Sequence, residues 1–159
     1  MNNKEFIIGK LSEAEFANLF TNVTPSTKEQ DMYEHWDLKL TTKIDVKAIK
    51  KENRYDTVYN ENFHWVEIKN VHGKLSWLYG EADYFAFETE DYWILVDKLK
   101  LQDFMRTKMT GKKVGKVKDP YELYQRDGRK DVIVKVKTID LIYISTKIIK
   151  KHENTNIES

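Results

Sequence analysis

The sequence predicts an α/β fold of the α+β kind, and three patterns in its 159 residues lead to this prediction. Apolar residues recur at helical spacing in a segment that begins near Ser12. From His35 onward apolar and polar residues alternate, which is the period of a β-strand. Helical spacing returns in "DKLKLQDFMRTKM", and alternation returns in "DVIVKVKT". These patterns indicate one domain with a mixed sheet over residues 1–150, followed by a frayed tail over residues 151–159.

The first predicted helix begins at Ser12, whose hydroxyl stands three residues before Glu15 in the arrangement of a capping box. Phe16, Leu19 and Phe20 then place apolar side chains on one face of this helix. The Thr, Pro and Ser residues of "TNVTPST" predict the loop that ends it.

Two alternating segments joined by the short turn "TTK" predict an antiparallel hairpin, and Phe63–Asn70 predicts a third strand beside it. Leu38 and Val46 lie on the apolar faces of the two hairpin strands, so their neighbours Asp37 and Asp45 lie on the polar faces. The segments "YFAFE" and "YWILVDK" predict two further strands, and an Asp-Gly turn signal precedes "DVIVKVKT".

Composition excludes several classes of protein. The chain has no cysteine, which excludes a disulfide framework, a cysteine zinc site and a thiol nucleophile. Hydrophobic residues make up 40% and charged residues 33% of the chain, as in soluble domains. No apolar run approaches the ~20 residues of a membrane span, and "MNNKEFIIGK" has no signal-peptide core. We therefore expect a cytoplasmic protein with no membrane association.

Positive charge is concentrated in one region although the formal net charge is only +1. The stretch "GKKVGKVK" contains no acidic residue, and "QRDGRK" follows it. A local basic patch is sufficient to contact phosphates. The candidate contacts to a nucleic-acid backbone are therefore Lys112, Lys113, Lys116, Lys118, Arg126, Arg129 and Lys130.

Asp37 and Asp45 face each other across the predicted hairpin if its turn has three residues, at a separation of about 5 Å. Two carboxylates at that distance repel unless a positive charge lies between them, and Mg²⁺ prefers carboxylate oxygens. Lys47 lies on the same face as Asp45, where its ammonium can act on a water or on transition-state charge. Glu67 and Lys69 repeat the acid–x–Lys spacing on the third strand. If the three strands are adjacent, one polar face carries all five side chains.

The sequence resembles the PD-(D/E)XK nuclease superfamily, and in particular its small phage-encoded endonucleases. The resemblance lies in the order of a helix with glutamates, a strand with an Asp and strands with acid–x–Lys. The resemblance is carried by "GKLSEAEF", "HWDLKLTTKIDVK" and "HWVEIKNVHGKLSWLYGEADYFAFE", and it covers roughly residues 9–96. It implies a restriction-endonuclease-like αβββαβ core with strands added at the C-terminal side. It also implies phosphodiester hydrolysis with Mg²⁺ or Mn²⁺, on DNA in preference to RNA, in the cytoplasm of a host cell, and it allows for a homodimer.

Carried over to this sequence, the resemblance implies that Asp37 and Asp45 are metal ligands, that Lys47 is the catalytic lysine and that Glu67 is an additional ligand. A second mapping stays open, in which Asp45 is the lone Asp and Glu67 with Lys69 forms the motif. We favour the first mapping because the hairpin brings its two Asp residues together without a long loop.

The first helix of this superfamily often supplies a Glu, and both Glu13 and Glu15 qualify. Glu13 is favoured because it borders the predicted buried face, whereas Glu15 already belongs to the capping box. Two other functions stay open: a non-catalytic nucleic-acid-binding protein on the same fold, and a phage interaction or inhibitor protein.

Overall fold

The computed structural model describes residues 3–19, 23–39, 42–51, 58–116 and 119–151. The predictions for Phe20, Lys118 and the tail from residue 152 onward lie outside the described residues. In this part of the chain the structure contains three α-helices and two β-sheets, each of which has both parallel and antiparallel pairs. The predicted α+β fold class is therefore confirmed.

The first sheet has six strands in the order β1-β2-β3-β5-β6-β10, and the second has four in the order β4-β9-β8-β7. The strands of the first sheet are β1 (Thr24–Pro25), β2 (Leu38–Lys39), β3 (Lys43–Lys47), β5 (Tyr84–Glu88), β6 (Tyr92–Asp97) and β10 (Lys147–Lys150). Those of the second are β4 (Phe63–Lys69), β7 (Lys113–Val114), β8 (Leu123–Tyr124) and β9 (Val132–Lys137).

Helix α1 (Asn3–Ala17) begins well before Ser12, so the predicted helix start is wrong. Ser12 lies within the helix and is buried, and its hydroxyl donates a hydrogen bond to Glu88 at 2.6 Å. The predicted capping box with Glu15 is therefore wrong as well, because the Ser12 hydroxyl is used in a contact with β5. Sequence spacing cannot distinguish a serine that caps a helix from one that contacts a distant strand.

The hairpin of β2 and β3 has the predicted register, with Leu38 opposite Ile44. The expectation that the third strand lies beside this hairpin is wrong. Strand β4 pairs with β9 in the second sheet, and β3 pairs instead with β5 in parallel. The reason is burial: Phe85, Ala86 and Phe87 are all completely buried, so β5 needs cover on both faces and takes a central position.

Helix α2 (Lys98–Lys108) and the turn before β9 follow the sequence patterns. Helix α2 occupies the second helical stretch, and Asp97 caps it by accepting a hydrogen bond from the Lys100 amide. Helix α3 (Thr138–Ile144) follows β9 directly. The Asp-Gly turn before β9 is present, and Gly128 adopts a φ of 70°, which L-residues rarely adopt.

Two apolar clusters cover the two faces of the first sheet. Phe85 and Phe87 pack against Val66 and Val134 of the second sheet on one face. On the other face α1 contributes Phe16, which packs edge-on against Trp93 with ring centroids 5.0 Å apart, to a cluster with Leu38, Ile44 and Val46. The first sheet is therefore the middle layer, with α1 on one side and the second sheet on the other.

None of the helices in the described ranges has the length and apolar character that crossing a bilayer requires.

His64 is a buried polar group in the layer between the sheets. It is 4% exposed, its ring lies 5.3 Å from that of Phe87, and its Nε2 has no hydrogen-bond partner among the described residues. Burial lowers the pKa of His64 to about 4, although the Glu88 charge opposes this. The folded protein therefore binds a proton at His64 more weakly than the unfolded chain does.

We predict that the free energy of unfolding falls as the pH drops from about 6.5 to about 4, because in this range His64 binds a proton in the unfolded chain but not in the folded protein. At ~1.4 kcal/mol per tenfold change in proton affinity, the loss is about 3 kcal/mol. In His64→Phe this part of the pH dependence should disappear. Denaturant titrations across this pH range test the prediction, with the exposed His72→Leu as control. An unchanged profile in His64→Phe would contradict it.

Candidate acidic site at the sheet edge

Asp37 is held rigidly at the start of β2. Its backbone amide donates to the Ile44 carbonyl at 2.9 Å, and its carbonyl accepts from the Ser26 amide at 2.7 Å. Because β2 is only two residues long, it leaves the second half of β3 without a strand on that side. The Asp37 carboxylate accepts a hydrogen bond there from the Val46 amide at 2.6 Å. The Asp37 side chain thus pairs with the part of β3 that has no neighbouring strand on this side.

The side chains of Asp37 and Asp45 are in contact, as the hairpin register requires. Both are buried, with exposures of 7% and 5%. Burial raises the pKa of Asp45 to about 8, Lys47 opposes this rise, and the Asp37 charge adds to it. Burial also raises the pKa of Asp37. The raised pKa values of both groups favour one proton shared between the two carboxyl groups.

Lys47 places its ammonium beside this pair. Its Nζ lies 2.7 Å from the Asp45 carboxylate and 4.1 Å from the centre of the Trp77 ring. Trp77 belongs to a 3-10 turn (Trp77–Tyr79) and packs edge-on against Phe85 at 4.9 Å. The indole face attracts the ammonium electrostatically. An acidic oxygen and an aromatic ring thus fix the end of a side chain that is otherwise flexible.

Glu13 of α1 approaches the acid pair from the other face of the sheet. Burial raises its pKa, and the nearby Asp37 charge raises it further. Its carboxylate lies 2.7 Å from Lys10 Nζ, which is 3.5 Å from Asp31. Glu15 instead points to Lys151, at 3.6 Å. Of the two candidate glutamates, Glu13 lies near enough to Asp37 for the Asp37 charge to raise its pKa, and Glu15 is directed elsewhere.

A strained segment leads into Asp37. A π-helical turn (Gln30–Glu34) ends at His35, which has a φ of 57°. The Glu34 carbonyl accepts the Glu81 amide at 2.7 Å, and a Cβ at Gly80 would lie 2.8 Å from the Cβ of His35. Only glycine allows this approach without displacement. Backbone strain of this kind persists where surrounding contacts enforce it and is frequent near functional sites.

Glu67 and Lys69 are not part of this group, which corrects the prediction of a shared polar face. They lie on β4 in the second sheet, and Val66, the neighbour of Glu67, points into the layer between the sheets. Strand alternation therefore directs Glu67 away from β3. Its carboxylate accepts a hydrogen bond from the Ser76 hydroxyl at 2.5 Å, next to Trp77. Lys69 is exposed at the end of its strand.

The basic residues lie on and beside β7, the edge strand of the second sheet, and in the turn between β8 and β9, which the Gln125 amide joins to β7 by donating to the Val114 carbonyl. Lys130, at the far end of that turn, lies beside Gly73 in the turn after β4. Two of them are already in ion pairs: Lys112 lies 2.9 Å from Glu122, and Arg126 lies 2.7 Å from Asp131. We call this surface the basic edge. Its remaining described members are exposed and comprise Lys113, Lys116, Arg129 and Lys130.

Three residues that lie near the acid pair cannot be identified from patterns in the sequence. Lys10 and Asp31 come close to it through the packing of α1 against the π-helical turn. Trp77 reaches Lys47 from a different layer of the fold. Each of these contacts joins residues that are distant in the chain, so neither periodicity nor motif spacing indicates them.

Within the described ranges, no three His, Asp or Glu side chains are grouped closely enough to hold a metal ion by themselves. The contact between Asp37 and Asp45 therefore offers two carboxylates rather than a complete protein ligand set.

Comparisons of this chain with protein-family models, with curated proteins and with solved structures found no match.

We predict that Asp45→Asn raises the melting temperature at alkaline pH. The pKa of Asp45 is raised from 3.8 to about 8 in the fold, so the native state loses stability relative to the unfolded chain as the pH rises between those values. An amide removes the ionisation and should gain several °C at pH 9, at ~2–4 °C per kcal/mol. The gain should vanish near pH 4.

Thermal melts of wild type and Asp45→Asn across this pH range measure the effect. The matched control is Asp127→Asn, which makes the same chemical change at an exposed turn position. If Asp45→Asn is less stable than wild type at pH 9, the two carboxyl groups do not share a proton as described.

Proposed function

We propose that this protein is a metal-dependent nuclease that hydrolyses phosphodiester bonds with Mg²⁺ or Mn²⁺. The observation that carries the proposal is the contact of two buried carboxylates at an open sheet edge, with a lysine ammonium 2.7 Å from one of them. The resemblance of the sequence to PD-(D/E)XK nucleases supports the same function.

The donor set suits a hard divalent cation. Asp37 and Asp45 would hold the ion through carboxylate oxygens, and the half-buried Glu13 lies close enough to Asp37 for the Asp37 charge to raise its pKa. A cation would take the place of the proton that the two carboxyl groups share, because it relieves the same repulsion. When bound, such an ion polarises a phosphate oxygen and lowers the pKa of a water molecule.

Lys47 is the residue that would act on the reacting groups. Its ammonium is held between the Asp45 carboxylate and the Trp77 ring and remains partly exposed. From this position it donates hydrogen bonds to the attacking water or to a phosphate oxygen, and so stabilises negative charge as it develops. Asp37 keeps its own orientation through the Val46 amide, so the acidic side of the site does not need to rearrange.

Nucleic acid fits as the substrate, with DNA favoured over RNA. An acidic site repels phosphates, so attraction has to come from elsewhere on the surface. The basic edge supplies it, because its exposed lysines and arginines lie on β7 and in the turn before β9. Phosphate contacts by such residues give affinity that is independent of sequence.

The experiment that tests this proposal is incubation of the purified protein with plasmid, single-stranded DNA, RNA and a four-way junction, with Mg²⁺, Mn²⁺ or EDTA. We predict metal-dependent cleavage of at least one substrate. Lys47→Ala should lose ~10²–10³-fold in rate, as when one transition-state donor is removed. It should still bind Mn²⁺ in calorimetry, because both carboxylates remain.

Lys69→Ala is the matched control, since it removes a lysine from the other acid–x–Lys segment, and it should cleave like wild type. If Lys47→Ala cleaves and Lys69→Ala does not, the assignment of the catalytic lysine to β3 is wrong. The absence of both cleavage and divalent-ion binding would overturn the nuclease proposal and favour a binding or inhibitor protein on this fold.

We predict that the basic edge determines the salt dependence of DNA binding. Changing Lys113, Lys116 and Arg129 together to Ala should weaken binding and flatten its dependence on salt by ~0.9 per lost phosphate contact. Fluorescence anisotropy with duplex DNA at several salt concentrations measures both quantities. The control replaces three exposed lysines elsewhere, Lys28, Lys100 and Lys147, and should leave the slope unchanged. Equal slopes in wild type and the first variant would show that DNA does not contact this edge.

A further inference from the structure

The loop that follows β4 is short and tightly hydrogen-bonded. We call its residues 70–75 the tip loop. The side-chain oxygen of Asn70 accepts hydrogen bonds from the amides of His72 and Lys74, at 3.0 and 3.1 Å. The Asn70 amide donates to the Lys74 carbonyl at 2.9 Å, and the Gly73 amide donates to the Asn70 carbonyl at 2.8 Å. These bonds fix the backbone of the loop, because each one joins two residues within it.

The tip loop holds two apolar side chains in solvent. Val71 is 56% exposed and Leu75 is 63% exposed. At the base of the loop Leu75 pairs with Lys69, and the Ser76 amide donates to the Ile68 carbonyl at 3.2 Å. The loop therefore cannot turn these side chains inward without breaking hydrogen bonds. A single exposed apolar residue needs no explanation, but two on one rigid loop form a surface whose chemistry depends on what lies beside it.

Positive charge lies beside the tip loop. Lys74 is exposed within the loop, and the side chain of Lys130 lies against Gly73, 3.4 Å from where a Cβ would be. Arg129, which precedes Lys130 in the turn before β9, is exposed as well. Glu67, at the base of the loop, is already engaged as a hydrogen-bond acceptor. The tip loop therefore adds an apolar group to one end of the basic edge.

Nucleic acid is the partner that has the matching chemistry. Its phosphates attract cations, and its base faces accept apolar side chains, which several DNA-binding proteins insert between bases. The position of the loop agrees with this partner. Leu75 precedes Trp77 by two residues, so their Cα atoms are at most ~7 Å apart, and the Trp77 ring lies 4.1 Å from Lys47 Nζ. The tip loop thus lies between Lys130 of the basic edge and the ring that contacts Lys47.

We propose that Val71 and Leu75 insert between the bases of a bound nucleic acid, while Lys74 and Lys130 contact the flanking phosphates. Insertion requires that bases unstack, and the free energy required is smallest where bases are unpaired or mismatched. The tip loop therefore selects DNA with unpaired bases over intact duplex. This inference rests on the proposed function for the choice of nucleic acid as partner, but it involves neither the acid pair nor Lys47.

The test is fluorescence anisotropy in EDTA, which prevents metal-dependent cleavage, with an intact duplex and with the same duplex carrying a short bulge. Wild type should bind the bulged DNA ~10-fold more tightly, because its bases are already unstacked. The double variant Val71→Ser with Leu75→Ser should lose this ratio and keep its affinity for the intact duplex. The matched control, Leu99→Ser with Ile139→Ser, changes two apolar residues of similar exposure, 68% and 66%, on α2 and α3, and should keep the ratio.

A fluorescent base analogue beside the bulge, of a kind that brightens when it is unstacked, reports the insertion itself. Wild type should brighten it and the double serine variant at the tip loop should not, and circular dichroism verifies that each variant is folded. Equal affinities of wild type for the two DNAs, or a tip-loop variant that behaves like the control, would overturn the proposal and favour a protein partner for this loop.

The two proposals fail separately. If wild type cleaves DNA with Mg²⁺ but binds both DNAs equally in EDTA, the tip-loop proposal is wrong and the nuclease proposal stands. If wild type prefers the bulged DNA but shows neither cleavage nor divalent-ion binding, the nuclease proposal is wrong and the tip-loop proposal stands.

Discussion

The requirement that β5 be covered on both faces organises this molecule. Phe85, Ala86 and Phe87 have no exposed surface, so this strand is stable only between two layers. Helix α1 provides one layer and the second sheet provides the other. The parallel partner of β5 is β3, which places Asp45 next to Phe85 and Lys47 next to Phe87, on the face toward the second sheet. The acidic site is therefore a consequence of how an apolar strand is covered.

The cost of burying the Asp37 and Asp45 carboxyl groups is only partly offset by their hydrogen-bond and ion-pair partners. Burying a carboxylate disfavours its charged form, and two adjacent ones also repel each other. The fold offsets this with the Val46 amide on Asp37 and the Lys47 ammonium on Asp45. The offset is incomplete, because the pKa of each Asp remains above its ordinary value. Buried acidic groups whose burial is only partly compensated distinguish a candidate functional site from an ordinary surface ion pair.

Distant parts of the chain support the site from both layers. From the second sheet, Glu67 accepts the Ser76 hydroxyl and so fixes the turn that carries Trp77 against Lys47. On the other face, Glu88 accepts the Ser12 hydroxyl at 2.6 Å and lies 2.7 Å from Lys151, which ties α1 to β5. These contacts hold the helix that bears Glu13 and the ring beneath Lys47. The positions of Asp37, Asp45 and Lys47 thus depend on contacts within α1 and both sheets.

The sequence by itself determined the local features: the strand and helix periods, the Asp-Gly turn and the hairpin register that brings Asp37 opposite Asp45. Each of these depends on residues a few positions apart. Only the tertiary structure decided that β4 pairs with β9 and not with the hairpin, and therefore that Glu67 faces away from Asp45. It also decided that Ser12 bonds to Glu88 within a longer helix. The physical reason is that periodicity shows which face of a strand is apolar, whereas the neighbour of that strand is selected by burial of the whole chain.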